Sequence, residues 1–99
     1  MSVHTLTPQR VNDYFTEKGL NLADAYAVLL VEAGHQVELP TVLLQDAAAR
    51  VLCNCLTVLH ERVRVAYSPL EMMRLVGDPN AFAWSCLRAH VARLTPLPV

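Results

Sequence analysis

Between Asp46 and Arg64 the polar side chains Asp46, Arg50, Asn54, Thr57, Glu61 and Arg64 advance by steps of four, four, three, four and three residues. That is the 3.6-residue repeat of an α-helix, read along a stripe one residue wide. The rest of the circumference is apolar: Val42, Leu43, Leu44, Ala48, Val51, Leu52, Cys55, Leu56, Val58, Leu59 and Val65. The pattern predicts a helix of about 25 residues beginning at Pro40 or Thr41, about 40 Å long at ~1.5 Å per residue. Asp46 and Arg50 are spaced for a favourable i,i+4 pair. A helix so apolar needs neighbours on most sides, and that need constrains everything else in the chain.

The other helices are delimited by their caps. Thr7 caps a helix that opens on Pro8 and stops before Gly19, with Val11, Tyr14, Phe15 and Lys18 on one face. Asn21 caps a second, with Asp24 completing an approximate capping box and Gly34 ending it. This helix, LADAYAVLLVEA, is polar only at Asp24 and Glu32, which fall on one strip, so it is buried on most sides. His35 to Pro40 reads as an extended linker, because Leu39 precedes proline. The segment RVRVAY, residues 62–67, alternates with period two and could pair as a strand with QVEL; helix is favoured because Arg64 stays in phase with the polar stripe. Ser68, Pro69 and Glu71 form a capping box for a short fourth helix reaching Val76 and closed by Gly77. Asp78 and Pro79 begin a fifth, which ends before TPLPV. The expected fold is all-α: a single small helical domain over residues 1–99, four to five helices around a long central one, with 1–6 and 95–99 as flexible ends.

A chain of 99 residues buries only about 60–70% of its unfolded surface. Yet 54% of these residues are hydrophobic and 17% charged, against roughly 45–50% and 25% in ordinary domains. The surplus on helices two and three predicts a two-fold homodimer, with Leu29, Leu30, Leu44, Val51, Leu52, Cys55 and Leu59 as its interface. A net charge of −1 gives no field to hold nucleic acid or an anionic membrane. The charge is unevenly distributed. Residues 1–49 carry two cations against six carboxylates and residues 50–99 six against three, giving −4 and +3. The halves neutralise each other, pair across a dimer, or offer a basic C-terminal face to an acidic partner.

Chemistry is sparse. Cys53 and Cys55 are two apart and point about 200° away from each other on a helix, so they cannot share an ion. A better zinc constellation joins Cys53 and His60 to Cys86 and His90, yet the tight C-x-x-C element of structural zinc is missing. Cysteine in such company packs as a small hydrophobe, and the surrounding leucines and valines would raise a thiol pKa, so neither metal, cofactor nor catalytic residue is expected. Residues 69–94 outline a helix-turn-helix, which makes DNA binding the alternative function. Against it, only Asn80 among the early residues of the second helix suits base reading, and the bulky Met73 stands where close-packed helices want a small residue. Met72, Met73, Trp84 and Arg88 are instead the expected partner-binding residues.

MSVHTLTPQR lacks the basic start and apolar core of a secretory signal, and the longest uninterrupted apolar run, Ala25 to Val31, falls short of the ~20 residues of a membrane span. Three cysteines, an odd number, are expected as reduced thiols in a cytoplasm. The expectation is a small non-enzymatic cytoplasmic regulator of bacterial or phage type. It would bind and mask another protein, for instance as antagonist of a transcription factor.

Overall fold

The computed structural model describes residues 5–63 and 68–94. Within them lie α1 (Pro8–Glu17), α2 (Leu22–Glu32), α3 (Thr41–Val63), α4 (Pro69–Arg74) and α5 (Pro79–Arg93). The all-α architecture around a long central helix is as the periodicity predicts. Arg62 and Val63 are helical, the segment containing QVEL forms no strand, and residues 64–67 lie outside the described part.

The caps form as read. Thr7 accepts from the Arg10 N–H, Asn21 from Asp24, and Asp78 from Ala81. At α4 the box is reciprocal: Ser68 Oγ accepts from the Glu71 N–H while the Glu71 carboxylate accepts from the Ser68 N–H. Each arrangement satisfies N–H groups that have no partner inside the helix. Leu6 precedes the first cap and packs against the core, so the anchored chain begins inside the stretch expected to be a free end.

α1 and α2 finish alike. The N–H groups of Leu20 and His35 reach back to the carbonyls of Phe15 and Leu30, and those of Gly19 and Gly34 to Thr16 and Val31. This double bond set requires a left-handed residue after the cap, and Gly19 (φ 85°) and Gly34 (φ 90°) supply it. α4 departs from expectation by ending at Arg74 rather than Val76. There Leu75 and Val76 donate to Met72 and Met73, three residues back, so the last turn tightens and the helix runs out before Gly77.

α3 is the spine. At ~1.5 Å per residue its 23 residues run about 35 Å, most of the molecule's 46 Å long axis. α1, α2, α4 and α5 all pack on it, and α2 also meets α1 and α5. The core comprises Val11 and Phe15 of α1, Leu22, Tyr26 and Leu29 of α2, Leu44, Ala48, Ala49, Leu52 and Leu56 of α3, Leu70 and Met73 of α4, and Ala83, Leu87 and Val91 of α5. The polar stripe from Asp46 to Glu61 is exposed, and Arg50 Nε donates to Asp46 Oδ2 at 2.7 Å.

Candidate partner-binding groove

Two helices with apolar faces leave a furrow where no neighbour lies across them, and among the described residues α3 and α5 do so. Val51, Cys55, Val58, Leu59 and Arg62 step along α3 at helical spacing, and Phe82, Cys86, His90 and Arg93 along α5. Together they line an open groove of about 470 Å³ whose remaining walls are Asn54 and Ala89. Val58 and Leu59 are 46% and 40% exposed, too open for core residues of their size. Among the described residues no carboxylate lines the groove, and its charged side chains are the guanidinium groups of Arg62 and Arg93.

The thiols fall into two environments. Cys86 faces Cys55 across the groove, and its pKa is pushed up to about 12, first by burial and then by the neighbouring Cys55. Cys53 points elsewhere, towards the edge of the polar stripe. Burial raises its pKa as well, with Asp46 adding and Arg50 opposing. Both thiols stay protonated at neutral pH, and a protonated thiol is neither a good nucleophile nor a metal ligand. His90 stacks obliquely on Tyr26 of α2, ring centroids 6.0 Å apart. Burial and Arg93 lower its pKa, which keeps the imidazole neutral.

The quartet Cys53, His60, Cys86 and His90 therefore does not converge: Cys86 and His90 share the groove, with Cys55 as the thiol opposite. No group of three or more His, Cys, Asp or Glu among the described residues could hold a metal ion. The residues expected at a dimer interface divide between the core and the groove. Leu29, Leu44 and Leu52 are buried by the chain's own helices and Leu30 is half-buried; Val51, largely covered, lines the groove floor, and Cys55 and Leu59 line the groove beside it. The expected partner-binding set is likewise scattered. Met73 is core, Met72 and Trp84 are half-buried, and Arg88 is exposed on a part of α5 that does not line the groove.

The exposed apolar surface that motivated both expectations is nonetheless present, on other residues: Val28 and Val31 on α2, Leu39, Val42 and Leu43 at the start of α3, and Val58, Leu59 and Val63 at its end. By length and composition α3 could also cross a membrane, with a mean hydropathy of 1.5 over its best window. The uninterrupted-run criterion overlooked this because the polar stripe breaks every run. Comparison with protein families, characterised proteins and solved structures gives no match.

Proposed function

We propose that this chain is a non-enzymatic binding protein that seats a helix of another protein in the α3–α5 groove, masking the surface it captures. The observation that carries this reading is the groove itself: open, lined by large apolar side chains, and edged by two arginines with no carboxylate among the described residues. Helix-in-groove recognition uses such a furrow, with apolar anchors at i, i+4 and i+7 of the ligand. Protonated thiols and a neutral imidazole suit packing better than catalysis. Masking a regulator such as a transcription factor is one use of such capture, in a cytoplasmic setting.

DNA binding is less well supported. A helix-turn-helix depends on its two helices packing on each other, whereas α4 and α5 each pack on α3 and barely touch. A spanning role for α3 would place the Asp46–Arg50 pair in hydrocarbon, at roughly 2.5–3.5 kcal/mol for each charge near the centre. It would also strip away the four helices packed around it.

A photo-crosslinking amino acid at Leu59, expressed in the native host, tests the reading. A discrete protein adduct is expected, lost on Val58→Glu and not obtained from a crosslinker at Thr57 on the polar stripe. Equal labelling from both positions would refute groove docking. Salt-dependent retention on duplex DNA, abolished by Arg88→Ala with Arg93→Ala, would establish the alternative.

A further inference from the structure

The groove asks for a helix with apolar side chains in its middle and acidic ones at its ends, and the chain displays one. On the outer face of α2, Asp24, Val28, Val31 and Glu32 are all exposed, at i, i+4, i+7 and i+8. The valines are 47% and 62% exposed, so this strip is an apolar centre flanked by two carboxylates. Periodicity places those four residues on one side of α2, while Leu22, Ala25, Tyr26 and Leu29 face inward. Facing requirements match: among the described residues the groove has two guanidinium groups and no acid, the strip two acids and no base. None of Asp24, Glu32, Arg62 and Arg93 has an ion-pair partner among the described residues.

We infer that the α3–α5 groove also accepts the outer face of α2 from a second copy of this chain, so that self-association covers the surface used to capture a partner. This rests on reading the groove as a docking surface. It explains the charge division as well, since the acidic N-terminal half supplies the strip and the basic C-terminal half the groove. The same contact made twice closes a two-fold dimer; made once per copy, it propagates head to tail. In either geometry α2 competes with the captured helix, and the fraction of grooves left open falls as the chain accumulates. The apolar residues Leu39, Val42 and Leu43 remain outside this contact.

Sedimentation velocity of the full chain from about 1 to 300 μM, at low and at high salt, tests the inference. Concentration-dependent association is expected, weakened by salt because exposed charges are screened within about 10 Å at 0.1 M. Arg62→Glu with Arg93→Glu should shift the midpoint at least tenfold to higher concentration, and Asp24→Arg with Glu32→Arg should do the same. Combining all four should restore association, because the charges are then exchanged rather than removed. Unchanged far-ultraviolet circular dichroism guards against misfolding, and Val28→Ser with Val31→Ser gives a second, uncharged disruption. A chain that stays monomeric throughout, or a fourfold variant that fails to re-associate, overturns the inference. If the Leu59 crosslink to another protein survives that failure, the groove reading stands without self-association; if it also vanishes, both fall.

Discussion

The two halves of α3 carry the same polar stripe and nearly the same apolar content, yet one is closed and the other open. In Thr41–Leu52 the chain buries Leu44, Ala48, Ala49, Val51 and Leu52; in Cys53–Val63 it buries only Leu56 completely. The difference lies in the neighbours and in side-chain size. Ala48 and Ala49 project little and are buried, and interhelical distance follows the side chains at the contact, so this half of α3 can seat its neighbours closely. The C-terminal half presents Val58 and Leu59, and beside them α5 presents Phe82. Bulky residues on both helices line the open groove, and no described residue lies above them. The apolar stripe of a helix thus predicts that a surface must be covered, while the covering chain is decided by neighbours the stripe does not name.

Truncation should separate the halves most sharply. Leu52 is fully buried, so Leu52→Ala should cost about 2–5 kcal/mol, transfer and cavity terms together. Leu59→Ala, seven residues on, should change stability by only about 0.5 kcal/mol, as at other exposed positions. Urea denaturation of the two variants checks the contrast. Equal losses would mean that the groove is filled by the chain itself or by a persistent second copy.

A smaller effect comes from the capping of α5. Asp78→Ala removes the acceptor for the Ala81 N–H and should cost about 1 kcal/mol. Because α5 forms one wall of the groove, hydrogen exchange should quicken in its first turns more than in α1. If exchange rises equally in both, the C-terminal half is no separate, softer unit, and the comparison between the halves loses its dynamic content.

Local signals carried most of the fold. Thr7, Asn21, Ser68 and Asp78 act on backbone groups within three residues, and no distant contact is needed to predict them. Gly77 misled for α4 because a glycine signals where a helix can end, while here the tightened turn at Leu75 and Val76 ended it first. The site was less legible for a different reason. Helical spacing tells which residues share a face of one helix, and so joined Cys53 to His60. It says nothing of the register between helices, which sets Cys55 against Cys86. Leu52 and Leu59 are seven apart on the same face, so no pattern distinguishes the core residue from the groove residue. The absence of a carboxylate around the groove is likewise visible only once α5 is docked.

The smallest expected effect concerns pH, and it reaches only the open half. His90 lies on the groove, with Tyr26 of α2 against its ring and Arg93 one turn along α5. Burial and the neighbouring guanidinium hold its pKa below the ordinary value of about 6.5 that it regains on unfolding. Below that value the unfolded chain therefore binds the proton more readily than the folded one, and linkage makes stability fall with falling pH. The contribution is constant above about pH 6.5, declines between there and the lower folded pKa, and is flat again beneath it. His90→Gln should abolish this increment, so the difference in Tm between wild type and variant should shift against the wild type from pH 7.5 to pH 5.5. A difference independent of pH would mean that His90 is as solvated folded as unfolded. An acidic helix seated in the groove should reverse the trend, because a carboxylate near the imidazole favours its charged form. The pH dependence of stability would then report whether the groove is occupied.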